Sequence, residues 1–594
     1  MSGVHPDVHS PRLSGKPSFS TVNPSRHLSQ LDSLYRSSGS GTSDTPPQDN
    51  GQAAMPGQLL VLVYSILTLL AVGCVRTLRQ WRWKRFRQFS HVPQAGKPSF
   101  LWGHWKVMDR LFRKGDPRRH REQVMIETYK EMGNPPVLFF DLRPMLRPML
   151  MIFHWEVAEQ ITKSSPTWNN SCPKSPTMRP IQHLTGERSI IVSNGDEWRQ
   201  QRRRLNPGFA PQHLMTLLPT ILDKTAVFLR RLDGLCETGE EFRLDEICGA
   251  LTFDIIGAVA MGLDLKAQVP GQHHEIVLAF QRLVGHYLNY KRRYLPFLDW
   301  TNERRRRRCG SELDRLVKGI IRESYDRVIH NDAKARDVLA LSLEGTQELT
   351  PDLLQVTSDN LRSFLFAGHD TTSILLQWAI YELSRSPRQL RSLRAELEEL
   401  FGSDTDPAAT REKLLRQPDV LNQMPYTAAV IKETLRLYPP AGSVRMSPPG
   451  TDFRLRLPNG EYIATDGVVM AISPGQLQRD PSVYGETAHD FLPERWLGDA
   501  SGIPAGAWRP FERGPRNCIG QELANIEAKI VLACVARRYS FVKVGLGELE
   551  LDGTGSPIPD ERGYFRTKST LFNSTQIIAK PVDRTVMEVG FRQY

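Results

Sequence analysis

The sequence is poor in cysteine, and its seven cysteines (residues 74, 172, 236, 248, 309, 518 and 534) form no C-x-x-C pair. An odd, scattered set argues against a disulfide framework and structural zinc, so we predict a reduced domain that faces the cytosol. The sequence also lacks a flavin or nicotinamide fingerprint. Its net charge of +12 suits anionic lipid or an acidic partner. Its basic residues are not interleaved with aromatics, so we predict no nucleic-acid partner.

Large apolar residues are scarce in residues 1–56, which are rich in Ser, Pro, Gly, Gln and Asn. Such a composition cannot bury a core, so we predict a disordered N-terminal tail. The uncharged run 59–75 follows, and as a helix it would extend about 25 Å, close to the ~30 Å hydrocarbon layer of a bilayer. We therefore predict a transmembrane anchor at 57–76. The alternatives are a buried core helix and a signal peptide, although the run has no clean cleavage site.

Six basic residues follow the apolar run, while the preceding tail is balanced in charge. The positive-inside rule then places the C-terminal side of the anchor in the cytoplasm. We predict a basic, Pro- and Gly-punctuated hinge at 77–104. Residues 105–585 contain no obvious linker and are predicted to form one catalytic domain. The six residues are Arg76, Arg79, Arg82, Lys84, Arg85 and Arg87.

The decapeptide FERGPRNCIG, residues 511–520, has the features of a loop that presents a thiolate to a soft metal centre. Cys518 would supply the sulfur, and Gly514 and Gly520 would let backbone N–H groups approach and stabilise the anion. A buried structural cysteine is the alternative for Cys518 alone. The spacing F-x-x-G-x-R-x-C-x-G favours the metal ligand, because five fixed positions in ten residues rarely arise by accident.

Trp198 and Arg202 stand four residues apart in an Arg-rich segment and would share one helix face. An indole N–H and a guanidinium together suit a carboxylate ligand. The alternative is a solvated, Arg-rich helix face.

A predicted helix at 351–384 carries the segment AGHDTT, residues 367–372, in its middle. A glycine, an acid and two hydroxyls lower helix propensity, which indicates function. Thr371 can bond the carbonyl four residues earlier, and Gly368 would leave a groove for a small ligand and water. A kinked core helix is the alternative. His369 is interpreted as a wall or solvent residue and not as a metal ligand.

Glu433 and Arg436 stand three apart on a predicted helix, which by default indicates a surface ion pair. Their apolar neighbours predict burial instead, with Arg495 as a third member. We also predict a helix at 521–536, short strands at 137–140, 149–153, 462–464 and 468–472, and a strand pair within 539–581.

Four sequence elements together resemble the cytochrome P450 family, in kind and in order, over about residues 90–585. They are W-x-x-x-R, A-G-x-D-T-T, E-x-x-R with P-E-R-W, and F-x-x-G-x-R-x-C-x-G. The resemblance implies a mainly α fold with a small β region, a haem b cofactor and Cys518 as the axial iron ligand. Gln478 departs from the family, whose members often have His there. The other implied residues are Trp198, Arg202, Arg516 and Arg445 for the haem propionates, Phe511, Gly514 and Gly520 for the haem-binding loop, Asp370 and Thr371 for proton delivery to dioxygen, and Glu433, Arg436 and Arg495 for structure.

By the same resemblance, the chain is an NADPH- and O2-dependent monooxygenase of a lipophilic small molecule at the endoplasmic reticulum membrane. Without a flavin fingerprint it would take electrons from NADPH–cytochrome P450 reductase, with cytochrome b5 as a second donor, through a basic face that includes Arg199, Arg203 and Arg513. The stretch 251–265 resembles fungal monooxygenases of sterigmatocystin-type pathways, which implies a polyketide or terpenoid substrate. The alternatives are a haem-thiolate isomerase or dehydratase that needs no reductase, and a non-catalytic haem-binding or membrane adaptor.

Overall fold

The computed structural model describes residues 56–287, 300–330, 336–498 and 502–593. Residues 1–55 of the predicted tail lie outside this range. The chain divides into two units between Arg76 and Thr77. The described residues of the first unit are helical, and the second unit contains all the other elements.

Helices dominate the described chain, as predicted from the sequence. Their bounds are α1 Pro56–Phe86, α2 Trp105–Arg113, α3 Arg121–Glu131, α4 Trp155–Thr162, α5 Gln182–Thr185, α6 Gly195–Leu205, α7 Pro211–Thr216, α8 Leu218–Thr238, α9 Leu244–Met261, α10 Glu275–Gly285, α11 Trp300–Ile329, α12 Val338–Leu343, α13 Pro351–Arg385, α14 Pro387–Phe401, α15 Pro407–Arg416, α16 Pro425–Leu437, α17 Pro474–Leu477, α18 Pro481–Tyr484 and α19 Gln521–Arg538.

The strands are short and form four small sheets in the described chain, in the orders β1-β2-β7-β4, β3-β11-β8, β10-β9 and β5-β6. In the largest sheet β2 pairs with β7 in parallel, and the other two pairings are antiparallel. The strands are β1 Val137–Phe140, β2 Met149–Ile152, β3 Phe242–Arg243, β4 Val444–Met446, β5 Arg454–Arg456, β6 Tyr462–Ala464, β7 Val469–Ile472, β8 Tyr539–Lys543, β9 Asn573–Thr575, β10 Ala579–Pro581 and β11 Val586–Phe591.

The predicted strands at 137–140, 149–153, 462–464 and 468–472 are confirmed to within one residue. The predicted pairing within 539–581 is wrong for its first strand. β8 pairs with β11, which the prediction overlooked, whereas β9 and β10 form a local hairpin. Met587 and Val589 explain the difference, because their burial ties β11 to the main core.

Helix α13 is the element that positions the site. The Thr350 hydroxyl accepts a hydrogen bond from the Leu353 N–H at 3.2 Å, and Pro351 occupies the first turn, where its missing N–H costs nothing. Most of α13 is buried, and it packs along α9 more extensively than any other pair of described elements. The motif at 367–372 therefore lies inside the protein.

Helix α1 has the length and composition to cross a membrane over Leu60–Phe86, and the apolar window within it is not covered by protein. Five of the six basic residues predicted to face the cytoplasm are exposed. The exception is Arg85, which is completely buried and pairs with Asp141 at 2.7 Å. It also donates to the carbonyls of Phe100 and Leu101 at 3.1 and 3.2 Å. Arg85 therefore binds the predicted hinge to the domain that follows.

Candidate active site

A largely apolar cavity of about 320 Å³ lies between α13 and the loop that precedes α19. The two elements come together because α13 packs against α19. Asp370, Arg445 and Gly514, which are all described, do not line the cavity. The predicted site residues that do line it are Trp198, Arg202, Thr371, Phe511, Arg516, Cys518 and Gly520.

The Cys518 loop is held by its own backbone. The Cys518 N–H donates to the Phe511 carbonyl at 2.8 Å, and the Asn517 N–H donates to the Gly514 carbonyl at 3.1 Å. Gly514 has a φ of +76°, and a Cβ there would stand 2.1 Å from the carbonyl oxygen of Thr162. Only glycine allows this approach, so Gly514 shapes the loop from behind.

The Cys518 thiol opens onto the cavity. Burial raises the pKa of this thiol above its usual value, and the N–H of Gly520 and the charge of Arg202 offset part of that rise. The N-terminus of α19 begins three residues later, and its dipole also favours an anion there. These groups are arranged to stabilise a thiolate.

Two arginines join α6 to the Cys518 loop, Arg202 from the helix and Arg516 from the loop. Arg202 donates to the backbone carbonyl and side-chain oxygen of Asn517 at 2.8 and 3.0 Å. Arg516 donates to the side chain of Asn194 at 2.8 Å, and its guanidinium lies 4.9 Å from the ring centre of Trp198. The structure therefore brings Trp198, Arg202 and Arg516 together at one wall of the cavity.

Arg445 lies in β4 and is completely buried, and its three side-chain nitrogens have no hydrogen-bond partner in the described chain. Its strand bridges to Lys174, which lines the cavity. Burial lowers the pKa of Lys174 well below its usual value, and the charges of Arg445 and Arg516 lower it further. Burial, followed by Arg445 and Arg202, likewise lowers the pKa of Arg516 to about 9. Glu512, which also lines the cavity, is the carboxylate that acts on Lys174 and Arg445, but it is paired with Arg509 at 2.7 Å and makes no hydrogen bond with Arg445.

The two propionates of a haem would supply further negative charge. A buried guanidinium without a counter-charge is strongly destabilising, so the orphaned nitrogens of Arg445 favour an anionic ligand. A cavity that has a thiol, apolar walls and a group of cations fits a haem-thiolate centre. Lys174 joins this group although no sequence pattern identified it.

On α13, the Thr371 hydroxyl donates to the Ala367 carbonyl four residues earlier at 2.8 Å, as the sequence predicted. Gly368 lines the cavity beside Thr371, in agreement with the predicted groove, and it also has a packing role. A Cβ at Gly368 would stand 2.6 Å from a side-chain carbon of Ile256, so the glycine lets α9 approach α13 closely.

Asp370 is buried and does not line the cavity. Its Oδ1 accepts a hydrogen bond from Lys580 and lies 3.1 Å from Nε2 of His369. Burial acts to raise the pKa of Asp370, but the charges and hydrogen bonds of His369 and Lys580 outweigh it and hold the pKa below its usual value. Sequence reasoning found Asp370 but missed both partners.

Glu527 on α19 is a further cavity residue that sequence reasoning missed. It is buried, its Oε2 has no partner in the described chain, and burial raises its pKa well above the usual value despite a hydrogen bond with Thr372. A carboxyl group inside the apolar stretch 526–528, nine residues after Cys518, was the available signal.

Glu433, Arg436 and Arg495 come together away from the cavity. Glu433 and Arg436 are completely buried, and Arg495 is nearly so. Gln478, the departure from the family pattern, is also completely buried and does not line the cavity. Its side-chain amide donates to the carbonyls of Leu435 and Arg436 at 3.1 Å, and its side-chain oxygen accepts from the Arg509 N–H at 2.7 Å. Gln478 thus joins the end of α16 to the segment before the Cys518 loop.

Comparison with known proteins gives a consistent result. A family model described as "Cytochrome P450" matches residues 93–552. The chain is 32% identical to cytochrome P450 monooxygenase acrF of Aspergillus aculeatus, over 71% of this chain and 87% of the relative. It is 28% identical to cytochrome P450 monooxygenase polC of Polytolypa hystricis, over 80% and 87%. The crystal structure of the cytochrome P450DA heme domain matches with a TM-score of 0.65 at 19% identity, covering 84% of this chain and 98% of that one.

Proposed function

The chain belongs to the cytochrome P450 family of haem-thiolate monooxygenases, and from this premise we propose that it oxidises a lipophilic small molecule with NADPH and O2. The observation that carries the proposal is the Cys518 thiol, which faces the same cavity as Thr371. Haem b is the proposed cofactor. When bound, it would supply dioxygen activation, which a thiolate ligand would favour by pushing electron density onto the iron.

The residues around the cavity divide into three proposed roles. Cys518 would bind the haem iron through its sulfur, and Phe511, Gly514 and Gly520 would shape its loop. The propionates would be held by Trp198, Arg202, Arg445 and Arg516, to which we add Lys174. Thr371 holds a proton at the cavity wall, and Asp370 acts through it.

The cavity walls support a lipophilic substrate, because apolar side chains form most of the lining. They include Ile190, Phe209, Ile256, Phe364 and Leu375. Two of the similar monooxygenases are fungal. We therefore propose an intermediate of fungal secondary metabolism, a polyketide or terpenoid, that is hydroxylated, epoxidised or otherwise oxidised.

Replacing Thr371 with alanine tests this function. Reduction of dioxygen consumes protons, and an apolar pocket supplies none unless a side chain transfers them from water. We expect Thr371→Ala to bind haem and substrate, yet to form less product and more peroxide per NADPH consumed. Product, peroxide and NADPH are measured with a reductase present and with it omitted.

Thr225→Ala is the matched control, since Thr225 makes the same bond to a carbonyl four residues earlier, at 2.9 Å, but on α8 and outside the cavity lining. It should keep the wild-type ratio of product to NADPH. Product formed by the wild type without any reductase would instead support the haem-thiolate isomerase or dehydratase. Haem binding without any turnover would support the adaptor.

NADPH–cytochrome P450 reductase is the proposed electron donor, with cytochrome b5 as a second one. Of the three arginines assigned to the basic face, Arg203 is exposed on α6. Arg199 is paired with Asp196 at 2.8 Å, and Arg513 with the buried Glu159 at 3.0 Å. Arg203 is therefore the most available of the three for an acidic partner.

The proposed location is the endoplasmic reticulum membrane, with α1 as a single-pass anchor and the catalytic domain in the cytosol. The proposed boundaries are a tail at 1–56, the anchor at 57–76, the hinge at 77–104 and the catalytic domain at 105–585. The exposed basic residues that follow the apolar run support this orientation.

A glycosylation tag tests the orientation. Inserted within residues 1–50, the tag should be modified in microsomes, because the tail would lie in the lumen. The same tag at the C-terminus should stay unmodified, and protease added outside should digest the catalytic domain. A catalytic domain that resists the protease until detergent is added would contradict the proposed orientation.

A further inference from the structure

A second cavity, of about 690 Å³, lies at the protein surface and shares no lining residue with the cavity at Cys518. Its volume is in the range of small-molecule sites in proteins. It is lined by the C-terminal end of α3 and the residues that follow it, the end of β2, the turn between β5 and β6, and the segment from α17 to residue 489. None of the roles proposed above uses it.

Arg479 lines this cavity and has no counter-ion. It is largely buried, makes no ion pair and donates no side-chain hydrogen bond within the described chain, and its Nε is buried without a partner. Its guanidinium lies 5.3 Å from the ring centre of Tyr438, a contact without formal negative charge. His154, another lining residue, also has a buried ring nitrogen, Nδ1, without a partner in the described chain. A buried guanidinium without a counter-charge is destabilising, so this cavity favours an anionic ligand.

The carboxylates around Arg479 are bound by other groups. Glu382 and Glu122 act on Arg479 across space, and Asp480 follows it in the chain. Glu382 accepts hydrogen bonds from a tyrosine at 2.5 Å and an arginine at 2.9 Å, and Glu122 accepts from the segment 473–475 at 2.7 and 2.8 Å. Asp480 caps α18, where its Oδ1 accepts from the N–H and the hydroxyl two residues later at 2.9 and 2.8 Å. The guanidinium of Arg479 therefore keeps its donors for a ligand.

Lys130 adds a second positive charge to the cavity. It is exposed at the end of α3 and lines the cavity together with Arg479 and His489. Burial lowers the pKa of His489, and the charges of Arg479 and Lys130 lower it further. Both cations therefore act on the same part of the cavity. A potential that opposes another cation favours an anion.

Tyr129 and Phe153 form an apolar part of the wall. Both side chains are buried, and their ring centres lie 4.5 Å apart at an interplanar angle of 34°. The apolar part of a ligand can pack on these rings while a charged group meets the cations. The combination favours an organic anion over an inorganic one.

We propose that this cavity binds a small organic anion, whose phosphate or carboxylate group is held by Arg479 and Lys130 and whose apolar part packs on Tyr129 and Phe153. A guanidinium presents a planar set of donors that matches both oxyanions, and it is more weakly hydrated than an ammonium group. Arg479 is therefore the main anchor, and Lys130 supplies charge at the rim. Binding at this site does not depend on the oxidation proposed for the other cavity.

Isothermal titration calorimetry with phenyl phosphate tests the site on the haem-loaded, full-length protein in phosphatidylcholine nanodiscs, which carry no net charge. Haem-loaded protein is used so that the cations around Arg445 are not free to bind the probe. We expect one saturable site per chain, competition by inorganic phosphate, and no competition by benzyl alcohol, which has the ring but no charge. Phosphatidate added to the nanodiscs should compete only if the anion comes from a lipid headgroup, and a lack of competition assigns the site to a soluble anion.

Arg479→Gln should weaken the binding of phenyl phosphate by roughly tenfold or more, because hydrogen bonds between charged groups are the strong ones. Lys130→Gln changes an exposed residue and should weaken it by about threefold, the effect of a surface charge pair. Arg454→Gln is the matched control and should bind as the wild type does, because Arg454 is exposed, is paired with Asp452 at 3.1 Å and lies outside the cavity lining.

No saturable binding by the wild type would overturn the inference. Equal affinity in the wild type, Arg479→Gln and Lys130→Gln would overturn it as well. If Arg479→Gln yields no haem-loaded protein, Lys130→Gln and the competition by inorganic phosphate decide the outcome. A wild type that binds phenyl phosphate but forms no oxidised product would contradict the proposed function and leave this site in place.

Discussion

Cys518→Ala is expected to abolish monooxygenase activity and the spectrum of a thiolate-ligated haem. The loop presents the Cys518 sulfur to the cavity. The Gly520 N–H, the charge of Arg202 and the N-terminus of α19 all favour the thiolate form of this sulfur. An alanine offers iron no ligand. The ferrous carbon monoxide difference spectrum measures the effect, because a thiolate ligand places the absorption band at a characteristic long wavelength.

Cys534→Ala is the control for losing a cysteine near the same site. Cys534 is buried within α19, and burial raises the pKa of its thiol to about 12, so it is an inert core residue. The Cys534 variant should keep the long-wavelength band and most of the activity. A wild-type protein without that band, or a Cys518→Ala protein that retains it, would refute the assignment of the ligand.

The sequence alone predicted the parts of the site that depend on local spacing. The Thr371 hydroxyl donates a hydrogen bond to the Ala367 carbonyl. Threonines inside helices commonly bond the carbonyl four residues earlier, so this contact could be predicted from the sequence. The position of Cys518 before a helix was likewise visible, because the apolar pattern from 521 onward marks α19. Three of the short strands were located for a similar reason, because each is a local run of apolar residues.

Contacts between distant segments could not be predicted in this way. Lys580 donates a hydrogen bond to Asp370, which lies 210 residues away in the sequence. Lys174 lies beside Arg445 because an isolated antiparallel β-bridge joins the two residues. Nothing in the local pattern of either lysine distinguishes it from a solvated one. The burial of Arg85 is similar, since five neighbouring basic residues are exposed and Arg85 is distinguished by its contacts with Asp141 and with the carbonyls of Phe100 and Leu101.

The role of Gly368 shows a further limit. The sequence placed a glycine beside the proton-delivery residues and predicted a groove, because glycine lacks a side chain. Gly368 does line the cavity, but the glycine also lets Ile256 of α9 approach the backbone of α13, which the sequence did not reveal. A glycine in a helix indicates that something comes close, and the tertiary structure decides whether that is a ligand or another helix.

The second large effect is expected for Glu433→Ala, which should yield little folded, haem-loaded protein. Both carboxylate oxygens of Glu433 are used. Oε1 accepts from Arg436 at 2.8 Å and from Arg495 and the Leu492 N–H at 2.9 Å, and Oε2 accepts from Arg436 at 2.8 Å and from the indole of Trp496 at 2.9 Å. Removing the Glu433 carboxylate leaves the buried guanidinium groups of Arg436 and Arg495 without this counter-charge.

Breaking a buried ion pair costs about 3–5 kcal/mol, a large part of the 5–15 kcal/mol that holds a typical domain folded. Arg436 has other partners, the carbonyls of Gln478 and Asp490 at 2.9 Å and that of Ala488 at 2.6 Å, but these carry no full negative charge. Its guanidinium would therefore remain buried without a counter-ion. The measurements are haem absorbance per mass of purified protein and the midpoint of urea unfolding.

Glu412→Ala provides the comparison, because Glu412 pairs with Arg416 on an exposed helix face, where both side chains are more than half exposed. An exposed pair of this kind contributes less than about 1 kcal/mol, so this variant should match the wild type in haem content and unfolding midpoint. Glu433→Ala protein that is soluble and fully loaded with haem would contradict the structural role of the three residues. The effect should not depend on substrate, because Glu433 makes its contacts with α16 and the segment 492–496 and does not line the cavity.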